Sequence, residues 1–344
     1  MAAQQYVSGW ATAIKYDVET SFGTGGTPTY PFGYGCKITA KKNNNLERVY
    51  GLGSRNSAYT IAKKFEGSMT IEFILGHAYW LKAVLGTQGA AGGGGPYTHA
   101  FTEANAPPSM IISMGTDLGT TDMVTTYTGV VVNTAKIAMA VNEPVRVTLD
   151  CLYSTESTAF TGTFTQPLMD DNYDGTGNIW DAMTFAMGSV TYAAQTMGIT
   201  YSGVVQNCEL TINNNLENIY GVGFRTSVER INKNREYNFR MTYALASVAN
   251  SADVFENVLG DTSTPIIPAT GNITGVALVL TLTNGGATTA LRSLVWTFTD
   301  AKTFLNTSSM IFDVNELLKD DVEGFAESIS SVVATDNTNA GIGA

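Results

Sequence analysis

Apolar and polar residues alternate in several segments of the chain, and this alternation predicts a protein built mainly of β-strands. In Phe65–Phe73, apolar side chains or glycine occupy every second position and polar side chains stand between them. Residues Glu236–Tyr243 and Val145–Cys151 repeat this period of two. Because alternate residues of a strand point to opposite faces, each segment is expected to have one buried and one polar face.

One segment, His77–Leu85, breaks the alternation. Its bulky apolar residues, Trp80 and Val84 among them, fall at helical spacing. That spacing predicts a short helix with a single buried face. A similar segment, Asp253–Leu259, follows in the second half of the chain. The expected order is therefore several strands, one helix and further strands, occurring twice.

The chain also repeats itself. Asn43–Ser57 recurs as Asn213–Ser227, 170 positions later, with the run Asn-Asn-Asn-Leu-Glu, a Tyr-Gly pair and an arginine in both copies. Further landmarks recur in the same order, among them Val141–Glu143 and Val314–Glu316. Self-similarity over about half the chain is the signature of a duplicated unit. The expected parts are a first domain at 1–165, a linker at 166–182 and a second domain at 183–344.

The composition narrows the class of protein. The 344 residues carry a formal net charge of -11, 14% of them are charged and 44% are hydrophobic. Such a chain does not fit the disordered class, and an excess of acid is the wrong sign for gripping nucleic acid. The three cysteines are odd in number and far apart, so no disulfide framework is expected. The sequence has no signal-peptide pattern and no run of about 18 apolar residues, so we expect folding in a cytoplasm and no membrane span.

One segment has the spacing of a calcium-binding loop. Residues 170–181 place oxygen donors at positions 1, 3, 5, 9 and 12 and a glycine at position 6. A hard cation needs such alternating oxygen ligands, and the glycine permits the sharp turn. The expected ligands are Asp170, Asn172, Asp174, the Thr176 carbonyl, Asn178 through a water, and Asp181. No cofactor is required, and a hydrophilic linker between two repeats is the other interpretation, since no clear EF-hand helices flank the segment.

No catalytic constellation stands out, and the chain is predicted not to be an enzyme. The sequence has no G-x-S-x-G elbow, no phosphate-binding glycine loop and no histidine at a telling distance from a nucleophile. Glu47 and Arg55 recur as Glu217 and Arg225, eight residues apart in each copy. We expect each pair either to brace its own loop or to make a contact between subunits.

The repeated segment Asn43–Ser57 and its copy resemble the tail tube proteins of long-tailed bacteriophages and archaeal viruses. In that family an Asn-rich turn ends one strand, a long loop follows, and the chain returns as a strand. The stretches Tyr127–Asn133, Asn142–Val147 and Leu294–Lys302 are similar to the late strands of the family. The resemblance covers most of both halves and departs from the common members in being duplicated within one chain.

The resemblance implies a mainly β fold of two tandem β-sandwich or half-barrel units, each with one short flanking α-helix and a long loop. It also implies rings of six units, hence three chains per ring, stacked into a tube in the virion after assembly in the host cytoplasm. The tube would meet tail tip and terminator proteins. The tape measure protein, and DNA at ejection, would pass through its lumen without specific binding.

This resemblance gives the alternating strands and the long loops expected roles. The polar faces would line a negative lumen through Glu66, Ser68, Thr70, Glu72, Glu236, Asn238, Arg240 and Thr242. The loops Asn43–Lys64 and Asn213–Asn234 would make the ring-to-ring contact through Asn45, Glu47, Tyr50, Arg55, Tyr59, Asn215, Glu217, Tyr220 and Arg225.

Two other classes stay open at the level of sequence. A surface-exposed calcium-binding β-repeat adhesin would share the composition and the calcium loop, but it should carry a signal peptide. A sugar-acting enzyme on a β scaffold would need two carboxylates facing each other across a cleft, which sequence alone does not exclude.

Overall fold

The computed structural model describes residues 12–92, 96–118, 121–140, 143–161, 164, 189–194, 197–200, 205–244, 259, 267, 273, 275, 277–283, 292–299, 302–311 and 319–336. Strands dominate this part of the chain, so the fold is mainly β, as predicted. The elements are β1 (Thr12–Val18), β2 (Gly33–Asn43), β3 (Leu46–Tyr50), β4 (Ser57–Ala62), β5 (Glu66–Leu75), α1 (Leu81–Leu85), β6 (Gly86–Gln88), β7 (Tyr97–Glu103), β8 (Met110–Thr116), β9 (Asp122–Ala140), β10 (Arg146–Tyr153), β11 (Thr155–Thr161), β12 (Ser189–Ala194), β13 (Met197–Thr200), β14 (Val205–Asn213), β15 (Leu216–Tyr220), β16 (Ser227–Asn232), β17 (Glu236–Ala244), β18 (Ala277–Thr283), β19 (Ser293–Phe298), β20 (Thr303–Ile311), β21 (Lys319–Ala326) and β22 (Ile329–Asp336).

The largest sheet runs through both halves of the chain. Its main path has the order β2-β5-β10-β9-β14-β17-β21-β20, and all neighbours are antiparallel. The first four strands come from the first half and the last four from the second half. β9 and β14 join the two groups directly, so the segment predicted as a linker, 166–182, does not divide this sheet.

Side-chain alternation explains why these segments are strands. In β5, Met69, Ile71 and Phe73 are buried, and the polar residues between them lie toward solvent. β17 buries Tyr237 and Phe239 in the same way. One side of the sheet therefore packs on the core while the other is polar, as the period of two predicts.

β9 is long enough to take part in two layers. Its first part pairs with β8 and β11, and its second part pairs with β10 and β14. Gly129 lies between the two parts with a φ of 62°, a conformation that L side chains rarely adopt. The buried carboxylate of Glu19 accepts hydrogen bonds from the Gly129 amide at 3.1 Å and the Gly23 amide at 2.9 Å. Glu19 therefore holds the bend that carries β9 from one layer into the other.

A second sheet, of order β13-β12-β18-β19-β22-β7-β6, completes a sandwich. It also crosses between the halves, because β22 pairs with β7. The ring of Tyr237 on β17 meets that of Phe298 on β19 edge-on, with centroids 6.1 Å apart. Buried side chains of both sheets thus interdigitate in one hydrophobic core.

The short helix predicted within His77–Leu85 is confirmed as α1. Trp80, which precedes it, and Leu81, Val84 and Leu85 are fully buried. The predicted counterpart, Asp253–Leu259, lies outside the described residues except for Leu259, which is helical.

The two segments predicted as long irregular loops are antiparallel hairpins. β3 pairs with β4 to form the first hairpin, and β15 pairs with β16 to form the second hairpin. The register shifts at the same place in both, next to Tyr50 and Tyr220. The prediction was wrong because these strands are rich in polar residues and do not show one apolar face, so the period of two is hidden.

Each hairpin starts at an asparagine in the left-handed conformation, Asn45 with φ 46° and Asn215 with φ 48°. Asparagine adopts this conformation more readily than most residues. The side-chain amide of Asn45 donates to the Lys64 carbonyl at 3.0 Å, and that of Asn215 donates to the Asn234 carbonyl at 2.8 Å. The Asn-rich motif therefore closes the base of each hairpin.

Candidate functional site

The solvent side of the main sheet is one continuous polar face. One row across it runs from Glu72 of β5 through Thr148 of β10 to Lys136 of β9, and on through Thr211 of β14 to Asn238 of β17. Every second residue of each strand shares this side. The residues expected to line a lumen are therefore brought together on one face of one sheet: Glu66, Ser68, Thr70, Glu72, Glu236, Asn238, Arg240 and Thr242.

Charges on this polar face nearly cancel. Its acidic side chains are Glu66, Glu72, Asp150, Glu209, Glu236, Asp321 and Glu323, and its basic ones are Lys37, Lys41, Lys136, Arg146, Arg240 and Lys319. Arg240, the cation that opposes a negative lining, lies 3.5 Å from Asp321 and 3.6 Å from Glu323. Lys136 lies 2.7 Å from Glu209. The face is thus close to neutral, although the whole chain carries -11.

The glutamate at the start of each hairpin pairs with a lysine rather than with the arginine expected from sequence. Glu47 contacts Lys63, and Glu217 lies 2.6 Å from Lys233. Both lysines follow the returning strand, so they lie across the hairpin base from the glutamates. The interpretation in which Arg55 braces Glu47 is therefore wrong, and the arginines beyond the turn are left to make other contacts.

The second hairpin lies on the first half of the chain. Arg225 donates from Nε to the Lys63 carbonyl at 3.0 Å and from an Nη to the Asn44 side-chain oxygen at 3.2 Å. Its own carbonyl accepts a hydrogen bond from the Phe65 amide at 2.6 Å, and the Tyr220 hydroxyl donates to the Phe65 carbonyl at 3.0 Å. Arg225 and Tyr220 thus bind the base of the first hairpin from the side.

The first hairpin is largely exposed. Tyr50 is 60% exposed and Tyr59 is 59% exposed. Leu52 at its tip is fully exposed, as is Val222 at the tip of the second hairpin. Clustered apolar and aromatic side chains on a surface mark an interaction site. Among the residues expected to stack rings, those of the first hairpin are therefore accessible to a partner.

Two residues at the joint between the halves were missed from the sequence. Asn214 is buried, and its side-chain amide donates to the Val84 carbonyl at 3.2 Å and the Val132 carbonyl at 2.9 Å. The Arg235 guanidinium donates to the Asn214 side-chain oxygen at 2.6 Å and lies 3.3 Å from Glu103. The signal that could have found them is the repeat itself, since Asn214 lies in the duplicated Asn run.

Arg230 of β16 is buried without a hydrogen-bond acceptor. It is 8% exposed, its guanidinium stands 5.3 Å from the Phe22 ring centroid, and its three guanidinium nitrogens have no hydrogen-bond partner. Burial lowers the pKa of Arg230 to about 10. The side chain is therefore still charged at neutral pH, and it pays the desolvation cost without a compensating anion.

The expected calcium ligands Asp170, Asn172, Asp174, Thr176, Asn178 and Asp181 lie outside the described residues. Within the described ranges, no group of three or more His, Cys, Asp or Glu side chains is arranged to hold a metal ion. No helix in that part of the chain is long and apolar enough to cross a membrane.

Comparison with known proteins gives these surfaces a context. A search of curated proteins gave no match. A family model described as "Phage tail tube protein" matches residues 9–328, a span that includes both hairpins and the whole main path of the large sheet. Because that match covers nearly the entire sequence, the chain belongs to the phage tail tube protein family, a structural and non-enzymatic family of the virion tail.

Proposed function

We propose that this chain closes with two further copies into a ring and that such rings stack into the tail tube. The observation that supports the proposal is the joint between β9 and β14. β9 is the last strand of the first four-strand group, and β14 is the first strand of the second group. The joint is therefore head to tail, and a head-to-tail contact that is repeated by rotation closes a ring.

The two ends of the main sheet match this joint. β20 ends the second group as β9 ends the first, and β2 starts the first group as β14 starts the second. Among the described strands, β20 pairs with β21 alone and β2 pairs with β5 alone. An unpaired strand edge is a template for another strand. Pairing of β20 with β2 of the next copy would continue the sheet from chain to chain.

Six four-strand groups give a closed barrel wide enough for a conduit. If the chain is a tandem duplication with two groups, three chains supply the six groups that the family resemblance implies. Barrels of about 16–18 strands already enclose an aqueous channel, so one of about 24 strands leaves an open lumen. A ring of three chains with pseudo-six-fold symmetry is the stoichiometry we propose.

The polar face suits the wall of that lumen. It offers hydroxyls, amides and nearly balanced charges, and cations such as Arg240 and Lys136 are held in ion pairs. A surface without a concentrated basic patch gives phosphates no place to bind. DNA and the tape measure protein would then pass without specific binding. The lining we propose is only slightly acidic, which is weaker than the negative lumen expected from net charge.

The tips of the two hairpins are the proposed contacts between stacked rings. Leu52 and Val222 are fully exposed there, and burying such apolar side chains on a neighbouring ring is favourable. Terminal rings would offer the same tips to tail tip and terminator proteins. Nothing in the described part of the chain supports the alternative of a calcium-binding adhesin.

Electron microscopy of the purified protein at high concentration tests the proposal. Tubes whose averaged cross-sections contain three copies are expected, and discrete monomers or rings of six copies would contradict it. A single-cysteine comparison then tests which face lines the lumen. In a Cys36→Ser background, Thr70→Cys on the polar face should react with a bulky maleimide only before assembly. Ala100→Cys, on the exposed side of β7, should react before and after assembly.

A further inference from the structure

The contact between the second hairpin and the first half of the chain has a counterpart that one chain alone does not complete. Arg225 binds the Lys63 carbonyl and the Asn44 side chain, and its backbone pairs with Phe65. Each of these partners has an equivalent 170 positions later in the sequence. The equivalents of Asn44, Lys63 and Phe65 are Asn214, Lys233 and Arg235.

These three equivalents line an open recess. Asn214, Lys233 and Arg235 share it with Glu103 and neighbouring residues, and its volume is about 380 Å³. At the matching place in the first half, the Arg225 side chain lies against the base of the first hairpin. The recess at the base of the second hairpin therefore has the position and the lining of an arginine-binding site.

The residue equivalent to Arg225 is Arg55, on the first hairpin. That hairpin carries Tyr50 at the position of Tyr220, and both Tyr50 and Arg55 are exposed. Arg55 cannot reach the recess of its own chain in the way Arg225 reaches the first half, because the matching contact always joins one repeat to the repeat before it. The chain before the first repeat is a second copy.

We propose that the first hairpin of one copy docks on the second half of the adjacent copy, with Arg55 in the recess lined by Glu103, Asn214, Lys233 and Arg235. This inference rests on the proposed ring and names the side contact that locks it. Arg55 would donate to the Lys233 carbonyl and the Asn214 side-chain oxygen, as Arg225 does to their equivalents. The Tyr50 hydroxyl would donate to the Arg235 carbonyl, as Tyr220 does to Phe65.

Electrostatics in the recess favour one more guanidinium only because of Glu103. Arg235 and Lys233 already place two cations there, and Lys233 is paired with Glu217 at 2.6 Å. The Glu103 carboxylate is 39% exposed and contacts Arg235 through one nitrogen at 3.3 Å. Its remaining lone pairs are available to a second arginine, and a charge-assisted bond of this kind is about twice as strong as a neutral one.

Disulfide trapping tests the proposal against an internal control. The Phe65 amide and the Arg225 carbonyl are in direct contact, which places the two Cα atoms within about 4.4–6.8 Å, the range of a disulfide. In a Cys36→Ser background, the pair Phe65→Cys with Arg225→Cys should therefore close within one chain. The equivalent pair, Arg55→Cys with Arg235→Cys, should close between chains and give dimers and closed trimers on non-reducing gels.

The outcomes separate this inference from the proposed function. If the control closes within one chain and the Arg55–Arg235 pair gives no linked dimer in assembled material, the hairpin docking is wrong although tubes form. If the control fails to close, its template is wrong and the docking falls with it. Linked dimers from a protein that makes no tubes would support the docking and reject the tube. Arg55→Ala, an exposed change that should leave the monomer's melting temperature unchanged, should lower the yield of tubes at least several-fold.

Discussion

The buried side-chain amide of Asn214 donates to the carbonyl oxygen of Val132 over 2.9 Å. Asn214 starts the second hairpin's base, and Val132 lies in β9, so this bond joins the two halves where their sheets meet. The Asn214 amide nitrogen of the backbone also donates to the Asn133 carbonyl at 2.7 Å. The joint between the halves is therefore fixed by directional polar bonds inside an apolar core, which specify its register.

The first prediction uses the two copies of this asparagine as a matched pair. Asn214→Ala removes donors to Val84 and Val132 and leaves buried carbonyls and Arg235 unsatisfied, so the free energy of unfolding should fall by about 2–4 kcal/mol. Asn44→Ala, at the exposed equivalent position, should change it by less than about 0.5 kcal/mol in the isolated chain. Urea unfolding of both variants measures this, and equal losses would contradict the role of Asn214.

The sequence predicted the parts of the fold that depend on local pattern. Alternation located β5, β10 and β17, and helical spacing located α1. The polar face could also be predicted, because a strand's period of two places Glu66–Glu72 and Glu236–Thr242 on the side opposite the core. These inferences succeeded because each rests on contacts between residues close in sequence.

Partners distant in sequence could not be predicted. Pairing of β22 with β7 and of β14 with β9 depends on which strand edges meet in three dimensions. The hairpins were missed because their strands have no apolar face, and the lysine partner of Glu47 was missed because it depends on the hairpin register. The repeat predicted that two similar contacts exist, but not that one of them, through Arg225, lies within the chain.

A second prediction concerns the unpaired guanidinium of Arg230. Arg230→Met keeps the packing on Phe22 and removes a buried charge that has no acceptor, so the isolated chain should be more stable by about 1–3 kcal/mol. Loss of the cation–π contact, worth about 0.5–2 kcal/mol, offsets part of this gain. Thermal unfolding at pH 7 measures the difference. A lower melting temperature for Arg230→Met would show that the guanidinium has an acceptor in solution.

A third prediction concerns calcium at residues 170–181, which we propose on sequence spacing alone. Oxygen ligands there should bind Ca²⁺, and a ligand that binds only the folded state stabilises it by mass action. The melting temperature should then rise with millimolar Ca²⁺ and fall with a chelator. Asp174→Ala should abolish the response without changing the melting temperature in chelator. An unchanged melting temperature on chelation would leave the linker interpretation.

The last prediction is a pH dependence of stability set by Glu19. Burial raises the pKa of the Glu19 carboxyl above its ordinary value, although hydrogen bonds from Ser109 and from the Gly129 and Gly23 amides act in the opposite direction. Between the unfolded pKa and this higher folded pKa, the folded chain binds more protons than the unfolded chain. The Glu19 contribution to the free energy of unfolding must therefore grow as the pH falls through the folded pKa toward about 4.5.

Glu66 provides a control of opposite sign. The hydrogen bond from Lys64 lowers the pKa of Glu66, so any stability it contributes is present above its unfolded pKa and is lost as the pH falls. Urea unfolding from pH 7 to pH 4.5 should show the wild type gaining stability relative to Glu19→Gln and not relative to Glu66→Gln. A Glu19→Gln difference that stays constant over this range would mean that the carboxylate at the β9 bend titrates as it does in water. The bend would then be held by its hydrogen bonds with no net cost of burial.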